Sequence, residues 1–398
     1  MRESFLPFSP PLLGADEIDE VVDTLRGDWI TTGPKTRQFE SDFANYVASP
    51  GALAVSSCTD ALQVALAALG VGPGDAVFTT TMTFCSTVHV IEHVGAHPVL
   101  VDIDPVTLNI DPDALRTAIG DTERAGDFTP KAIIPVHYAG HPCDMASIDS
   151  IAEANGLHIV EDAAHALPAT VDGRFIGDPS APAGVTRATA FSFYATKNLT
   201  TAEGGMLTGP DDFMEEARLW SLHGMSRDAW KRYGKGGSWF YEVVRPGFKC
   251  NMTDIQAAIG LHQLKRLESM QTRRGEVVAA YDELLGDVPE VQLPVELAGV
   301  SSARHLYPIR LHLDQLDIDR SAFIEEMGAC NIGTSVHFIP VHLHPYYRDR
   351  YGYAEDAFPN AWREYHRLVS LPLNPRLTEQ DVIDVADAVK AIVSAHRR

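Results

Sequence analysis

Short apolar runs alternate with segments of helical periodicity over the first half of the chain. Several of the runs are apolar without alternation, which is typical of strands covered on both faces. Alternation of strands and helices over this length predicts a mainly parallel, doubly wound α/β sheet. The intervening segment 60–69 has its apolar residues on one helical face: Ala61, Leu62, Ala65, Leu66 and Leu69. We predict strands at seven runs: 52–55, 76–79, 98–101, 132–136, 157–160, 188–193 and 205–207.

The pattern changes after Pro246. Thr253 with Gln256 three residues later is a capping-box signature, and helical periodicity then continues to Leu285. We expect this long helix to connect a large domain, 1–247, to a smaller α+β domain, 248–398. We expect the Gly-, Trp- and Arg-rich stretch to be mobile or to contact a partner; it covers 211–247. In the smaller domain we predict a strand near 306–311 and helices near 318–327 and 378–396.

The composition is that of a globular protein. Of the 398 residues, 45% are hydrophobic and 22% are charged. At about 150 residues per domain, this length predicts two or three domains. Asp and Glu number 54 against 32 Lys and Arg, which gives a formal net charge of −22. Because an anionic surface repels polyanions, we expect no binding to nucleic acid or to acidic membranes.

Cysteine usage and hydropathy bear on the compartment. The five cysteines are scattered and include no C-x-x-C pair, which predicts reduced thiols in a cytoplasmic protein rather than disulfides or a zinc site. The first eleven residues contain three prolines and no long apolar run, so we expect no signal peptide. No apolar run approaches the ~18 residues that a membrane-spanning helix needs. We therefore expect a soluble protein.

The segment 56–60, Ser-Ser-Cys-Thr-Asp, lies between a predicted strand and a predicted helix. Free backbone N–H groups at a helix start, with hydroxyl groups beside them, form an anion site that suits a phosphate. Plain N-capping by Ser57 or Thr59 explains the same residues, and on this segment alone it is the better explanation.

Acidic residues and a histidine follow the predicted strand 157–160. Open α/β sheets place their ligands at the carboxyl ends of strands, so Asp162 is a candidate to hold a protonated ring nitrogen. His165 is a candidate to lie against the same ligand. A helix N-cap beside a structurally satisfied histidine explains this segment equally well.

One lysine has an unusual position. Of the eight lysines, only Lys197 directly follows an apolar strand and precedes a Gly-rich turn, at Gly204 and Gly205. A partly desolvated lysine has a lowered pKa and can form a Schiff base, whereas a lone lysine is ordinarily a solvated surface charge. Taken in chain order, the three segments supply a phosphate site, a ring-nitrogen carboxylate and a Schiff-base lysine. Those are the parts of a site for pyridoxal 5′-phosphate (PLP).

These segments, with Trp-Ile-Thr-Thr-Gly-Pro at 29–34 and His-Gly-Met at 223–225, closely resemble the DegT/StrS-type nucleotide-sugar aminotransferases. The resemblance extends from about Phe8 to Val393. Members of that family are fold-type-I PLP enzymes. The resemblance implies a three-layer α/β/α large domain, a smaller α+β C-terminal domain, and a cytoplasmic homodimer with active sites at the subunit interface.

The resemblance also implies roles for the residues that match family motifs. Lys197 would hold PLP covalently, Asp162 would pair with the pyridine nitrogen, and His165 would lie near the ring oxygen. Cys58 stands where the family's Ser-Gly-Thr pattern usually has Gly, and its small side chain is expected to preserve the phosphate site. The other implied cofactor contacts are Cys58, Thr59 and Ser192 at the phosphate, Phe84 on the ring face, and Asn251 from the neighbouring subunit.

Three histidines, at 337, 342 and 344, lie close together near the C-terminal third of the chain. Their spacing fits no standard zinc pattern and no cysteine is near, so we expect no metal site. By resemblance this segment lines the sugar pocket, and its His337-Phe338 form is more similar to the family's C4 branch than to its C3 branch. His337 and Thr32 are accordingly the predicted substrate-binding residues.

The resemblance implies transfer of an amino group from glutamate to a nucleotide-linked 4-keto-6-deoxy sugar. A thymidine diphosphate (TDP) sugar is favoured, because 24 Arg against 8 Lys and abundant Ala suggest a GC-rich organism. The alternative is a C3 aminotransferase of a 3-keto sugar. A dehydratase of the same fold has His in place of the lysine, so Lys197 argues against it. A non-catalytic regulator would carry a DNA-binding extension, and the chain has no basic arm or spare domain.

Overall fold

The computed structural model describes residues 2–225 and 240–398. Its helices are α1 (Ala15–Arg26), α2 (Pro34–Tyr46), α3 (Cys58–Ala68), α4 (Ser86–His93), α5 (Pro112–Ala125), α6 (Met145–Asn155), α7 (Asp211–Ser221), α8 (Asp254–Leu285), α9 (Arg320–Ala329), α10 (Pro345–Tyr351), α11 (Pro359–Arg367) and α12 (Glu379–Ala395). Its strands are β1 (Gly51–Val55), β2 (Asp75–Thr80), β3 (His97–Val101), β4 (Thr129–Ile134), β5 (His158–Asp162), β6 (Thr170–Val171), β7 (Arg174–Phe175), β8 (Arg187–Ser192), β9 (Gly205–Gly209), β10 (Val291–Gln292), β11 (Val300–Ser301), β12 (Tyr307–Leu311) and β13 (Leu368–Leu371).

A seven-stranded sheet contains all seven strands predicted in the first half of the chain. Its order is β1-β9-β8-β5-β4-β2-β3. The pairs β2–β3, β2–β4, β4–β5 and β5–β8 are parallel, and β9 runs antiparallel to both of its neighbours, β1 and β8. The prediction of a mainly parallel sheet is therefore confirmed.

Helices cover both faces of this sheet. Successive strand residues point to opposite faces. On one face Val160 and Ala190 pack in a hydrophobic cluster with α3, α4 and α7. On the other face Ile159 packs with α5 and α6, and Phe191 packs with α2 and α8. The result is the predicted three-layer α/β/α arrangement, in which the carboxyl ends of the parallel strands stay uncovered.

A second hydrophobic cluster surrounds the sheet β10-β12-β13 and joins α9 and α12 to the C-terminal half of α8. Thr253 caps α8 through the expected box with Gln256. The first half of α8 packs against α1 and α2, while Tyr281 and Leu285 belong to the second cluster. Leu6 also packs in that cluster, so the N-terminal segment contributes to it. The division at 247–248 stays a prediction.

Local predictions in the second half agree with the structure to within about two residues. The strand expected near 306–311 is β12, and the helices expected near 318–327 and 378–396 are α9 and α12. In the stretch 211–247, α7 occupies the first eleven residues, and 226–239 lie outside the described residues. Of the helices that are described, none has the length and apolar character needed to cross a membrane.

Candidate active site

A cavity of about 550 Å³, the first cavity, opens where the parallel strands end. This volume lies within the roughly 300–1,000 Å³ of small-molecule sites. Strand β1 ends just before the turn 56–57, β5 ends at Asp162, and β8 ends at Ser192, so the sheet brings distant segments to one edge. Eight of the ten predicted site residues line this cavity: Cys58, Thr59, Phe84, Asp162, His165, Ser192, Lys197 and His337.

The turn before α3 contains both an N-cap and free N–H groups, the two features between which the sequence did not decide. Ser57 is the N-cap, and its hydroxyl accepts a hydrogen bond from the Asp60 N–H at 3.0 Å. The N–H groups of Cys58 and Thr59 belong to the first turn of the helix, where no intrahelical acceptor exists. Both residues line the first cavity. The cap therefore leaves the N–H groups of Cys58 and Thr59 available to an anion.

Cys58 is the first residue of α3, and its side chain is buried. The Sγ atom lies 3.6 Å from the Ala190 carbonyl oxygen and 3.9 Å from Asp162 Oδ1. Desolvation, reinforced by the charge of Asp162, raises the pKa of this thiol well above its usual value. Cys58 is therefore a neutral thiol that packs under the turn.

Asp162 ends strand β5, and only 5% of it is exposed. Its Oδ1 accepts a hydrogen bond from the Ala164 N–H at 3.1 Å, and its Oδ2 accepts one from the Thr87 hydroxyl at 2.8 Å. With the Cys58 thiol beside Oδ1, both carboxylate oxygens are held. The carboxylate is thus fixed in orientation at the wall of the cavity.

Lys197 follows β8 and is half-buried on the same wall. Its backbone N–H donates to the Tyr194 carbonyl at 2.9 Å, which closes the turn that presents it. Desolvation lowers the pKa of its ammonium group to about 8, although the negative charge of Asp162 opposes the shift. At pH 7 about a tenth of such groups are free amine, against about one in 2,500 for an ordinary lysine. The amine is therefore suited to nucleophilic attack.

His165 presents an unsatisfied polar atom. The residue is 7% exposed, and its Nδ1 has no hydrogen-bond partner among the described residues. Its ring lies 4.4 Å from that of His305 and stacks at 5.7 Å on Phe338, measured between centroids. Desolvation, and then the charge of Lys197, hold the pKa of His165 well below its usual value. This neutral imidazole therefore has one ring nitrogen available to a water molecule or a ligand in the cavity.

His337 and three phenyl rings form another wall of the cavity. His337 Nδ1 lies 2.9 Å from the Ser370 hydroxyl, and its ring stacks on Phe8 at 5.5 Å. Desolvation and the charge of Lys197 lower the pKa of His337 to about 4, so its ring is neutral at pH 7. Phe84 is 59% exposed and its ring lies 6.2 Å from that of Phe338.

Two predicted site residues, Thr32 and Asn251, lie elsewhere. They line a second cavity of about 650 Å³, and the Asn251 amide donates to the Thr32 hydroxyl at 2.5 Å. The structure brings these two residues together but not into the first cavity of the same chain. Their predicted roles, which for Asn251 involve the neighbouring subunit, stay predictions.

Two residues around the first cavity were not anticipated. Thr87 contacts Asp162, and His305 packs against His165 while its Nδ1 lies 3.0 Å from Asn198 Oδ1. His305 lies just before the start of strand β12, whereas Asp162 and Lys197 were singled out at or after the ends of strands, so that pattern could not find His305. Thr87 lies inside a helix, and nothing in its local sequence distinguishes it.

The nearby histidine His342 has structural partners for both ring nitrogens: the Thr81 hydroxyl at 2.7 Å and the Glu355 carbonyl at 3.0 Å. Within the described residues, no group of three or more His, Cys, Asp or Glu side chains is arranged to hold a metal ion.

The residues of the first cavity fit PLP. The fixed carboxylate of Asp162, the free Nδ1 of His165 and the amine of Lys197 offer partners for a ring nitrogen, a ring oxygen and an aldehyde. Gly205 of β9 passes close to the turn at the start of α3. A Cβ atom on Gly205 would lie 2.5 Å from the Ser57 carbonyl carbon and 2.7 Å from the Cys58 nitrogen.

Comparisons with known proteins agree with this fit. A family model described as the DegT/DnrJ/EryC1/StrS aminotransferase family matches residues 11–390. The chain is 51% identical over 398 residues to the uncharacterized protein MJ1066 of Methanocaldococcus jannaschii, covering 100% of both chains. It is 50% identical over 394 residues to the spore coat polysaccharide biosynthesis protein SpsC of Bacillus subtilis, covering 98% of each.

Solved structures show the same fold. The PMP-form of the putative sugar aminotransferase Spr1654 from Streptococcus pneumoniae superposes with a TM-score of 0.89 at 37% identity, covering 98% of this chain and 99% of that one. Its PLP-form superposes with a TM-score of 0.88 at 36% identity, with the same coverage. The chain belongs to the DegT/DnrJ/EryC1/StrS aminotransferase family and is a PLP-dependent sugar aminotransferase.

Proposed function

We propose that this sugar aminotransferase transfers the amino group of glutamate to C4 of a nucleotide-linked 4-keto-6-deoxy sugar, with a TDP-linked sugar favoured. The observation that carries the proposal is the wall formed by His337, Phe338 and Phe84 in the cavity that contains Lys197. A hydroxymethyl group against phenyl rings would lose hydrogen bonds to water, whereas the methyl group of a 6-deoxy sugar would not. The name of the Bacillus subtilis relative, which refers to spore coat polysaccharide biosynthesis, supports a sugar substrate in general.

In the proposed mechanism, Lys197 would hold the cofactor through its amine. When that amine is free, its pKa of about 8 suits it to act as the general base towards the Cα proton of the amino donor. Asp162 would keep the ring nitrogen protonated by pairing with it. When PLP is bound, its pyridinium ring supplies the electron sink for the pair left on Cα.

The remaining residues of the first cavity would bind the cofactor and orient it. The N–H groups of Cys58 and Thr59, with the Ser192 hydroxyl, would hold the cofactor phosphate at the start of α3. Phe84 would cover the ring face, and the free Nδ1 of His165 would bond to the ring oxygen. Each of these side chains or N–H groups lines the first cavity.

We further propose a homodimer in which Asn251 reaches the phosphate in the neighbouring subunit and Thr32 contacts the substrate there. Two observations support this arrangement. Both residues lie together in the second cavity, and the adjacent Trp29 and Ile30 are 36% and 50% exposed. The proposed domains, 1–247 and 248–398, would then be joined by α8. The five unpaired cysteines support a reducing, cytoplasmic compartment.

The proposed substrate is tested by supplying the purified holoenzyme with glutamate and a panel of nucleotide keto-sugars. The panel varies three features of the sugar. It is linked to TDP or to uridine diphosphate, its keto group is at C4 or at C3, and C6 carries hydrogen (6-deoxy) or a hydroxyl group. We expect the TDP-linked 4-keto-6-deoxy sugar to have the highest kcat/KM, with nitrogen at C4 by NMR of the product. Nitrogen at C3 would refute the proposed position.

The substitution His337→Ala tests whether the wall of His337, Phe338 and Phe84 binds the sugar. It should lower keto-sugar turnover and leave the glutamate half-reaction largely intact, because His337 is proposed to contact the sugar alone. His366→Ala is the control, since that histidine is exposed on α11. Equal losses in both half-reactions of His337→Ala would contradict the assignment.

A further inference from the structure

Asp162 is held by Thr87, which in turn contacts Thr83, and the proposed function gives neither threonine a role. We propose that Thr87, itself oriented by Thr83, is a positioning residue that keeps the Asp162 carboxylate directed at the ring nitrogen of the cofactor. The inference deepens the proposed function and rests on the role given there to Asp162.

The contacts form a short buried relay. The Thr87 hydroxyl lies 2.8 Å from Asp162 Oδ2, and the Thr83 hydroxyl lies 2.8 Å from that of Thr87. Thr87 is completely buried, and Thr83 is 2% exposed. Water therefore does not compete for these hydroxyl groups, and the bonds are stronger than they would be at the surface.

The direction of the proton donation follows from the chemistry of the groups. An ionised carboxylate can only accept hydrogen bonds, so Thr87 must donate its one hydroxyl proton to Asp162. Thr87 then has only lone pairs left for its other neighbour, and Thr83 must donate to it. The relay thus runs from Thr83 through Thr87 to Asp162, and each bond polarises the next.

The relay completes the fixation of the carboxylate. The opposite oxygen, Oδ1, already accepts from the Ala164 N–H and lies beside the Cys58 thiol. Without Thr87, Oδ2 would keep no hydrogen-bond donor from the described part of the chain, and the carboxyl group could rotate about its last bond. Phe84 lies between the two threonines in the chain and lines the cavity, so the relay also anchors the segment that presents this ring.

The consequence concerns the proton on the ring nitrogen of the cofactor. A carboxylate that has lost the Thr87 contact can rotate away from that nitrogen and no longer pairs with its positive charge. The ring nitrogen then loses protonation, and the ring becomes a weaker electron sink.

Four variants isolate this effect. Thr87→Val removes the hydroxyl at nearly constant volume, Thr87→Ser retains it, and Thr83→Val removes only the outer donor. Thr79→Val is the matched control, because the buried Thr79 hydroxyl donates to the Ile134 carbonyl at 2.8 Å and has no bond to Asp162.

The main measurement is the ¹⁵N NMR shift of PLP labelled at the ring nitrogen, recorded on each holoenzyme. In Thr87→Val we expect the signal to move towards that of an unprotonated ring. We expect kcat of the glutamate half-reaction to fall about tenfold, with KM little changed. Thr83→Val should show a smaller change in the same direction. Thr87→Ser and Thr79→Val should resemble the wild type.

An unchanged ring-nitrogen signal and kcat in Thr87→Val would overturn the inference. Asp162→Asn separates this result from a failure of the proposed function. If Asp162→Asn moves the signal and Thr87→Val does not, Asp162 keeps its role and only the relay is wrong. If neither moves it, the proposed role of Asp162 fails as well. If Thr87→Val does not take up the cofactor, the ring-nitrogen signal of Thr83→Val tests the inference instead, because that variant leaves Thr87 in place. An unchanged signal in Thr83→Val would then overturn the inference.

Discussion

Burial sets the protonation states of the side chains around the first cavity. Desolvation lowers the pKa of Lys197 to about 8 and that of His337 to about 4, and it holds the pKa values of His165 and His305 well below the usual value. At pH 7 the three imidazoles are therefore neutral. Each neutral ring can donate one hydrogen bond and accept another. None of the three adds a positive charge beside the Lys197 amine.

The lowered pKa of Lys197 predicts the pH dependence of cofactor capture. The free amine is the nucleophile and its fraction rises as pH passes the pKa, so capture of PLP by the apoenzyme should accelerate up to about pH 8 and level off above it. Stopped-flow absorbance of the visible band measures this rate. Borohydride reduction and peptide mapping should place the adduct on Lys197, and Lys265→Ala, on the exposed side of α8, should behave as wild type. A rate that still rises at pH 10, or an adduct on another lysine, would contradict the prediction.

Asp162 and His165 should differ sharply in importance. Asp162→Asn removes the charge that pairs with the ring nitrogen, so we expect both half-reactions to fall at least about a hundredfold while the fold persists. His165→Gln keeps a polar group near the ring oxygen and should cost less than about tenfold. Single-turnover kinetics of both half-reactions, with circular dichroism to verify folding, compare the two variants. Losses of equal size would show that these roles are assigned wrongly.

At the scale of elements, the close contact between β9 and the turn before α3 shapes the phosphate site. Strand β9 pairs with β1, and the residue at 205 lies against Ser57 and Cys58. A side chain at position 205 would push against the backbone that precedes the N–H groups of α3. The shape of the proposed anion site therefore depends on the absence of a side chain at Gly205.

Gly205→Ala tests this dependence. The added Cβ would lie 2.5–2.7 Å from backbone atoms of Ser57 and Cys58, so the turn must shift. We expect PLP affinity to fall about tenfold or more, as measured by absorbance titration of the apoenzyme. Gly328→Ala is the control, because a Cβ at Gly328 in α9 meets nothing within 4 Å. Unchanged PLP affinity in Gly205→Ala would mean that the turn does not bind the phosphate as proposed.

At the scale of the whole molecule, the separation of Asn251 and Thr32 from the first cavity supports the proposed dimer. One chain contains the lysine, the carboxylate and most of the implied phosphate contacts. The amide of Asn251 lies in the second cavity of the same chain. In the proposed two-fold dimer, each chain's second cavity would meet the other's first.

Subunit mixing tests the shared site. Lys197→Ala and Asn251→Ala enzymes should each be nearly inactive. A heterodimer combines both defects in one site and leaves the other intact, so an equal mixture should recover about a quarter of wild-type activity, since half of the dimers are mixed and each has one good site. Native mass spectrometry verifies the exchange of subunits. Exchange without recovery would place Asn251 in its own chain's site.

The sequence by itself determined the elements and the residues at their ends. Hydrophobic periodicity depends on local backbone geometry, so it located all seven strands of the main sheet, α8 with its cap, and β12, α9 and α12 in the C-terminal part. It did not find β10, β11, β13, α10 or α11. The resemblance to a family then identified Lys197 and Asp162; Asp162 ends β5, and Lys197 lies in the turn after β8, which ends at Ser192. Position at a strand end is a local property, and it needs no knowledge of strand order.

Only the tertiary structure decided which side chains meet. The order β1-β9-β8-β5-β4-β2-β3 brings the ends of β1, β5 and β8 to one cavity, and that order depends on long-range packing rather than on any local pattern. For the same reason Thr87, a residue inside a helix, bonds to Asp162 from 75 positions away, whereas Thr32 and Asn251 lie in a different cavity. The pKa values of Lys197 and of the histidines around the first cavity also depend on the tertiary structure, because the desolvation that lowers them comes from the whole surrounding cavity.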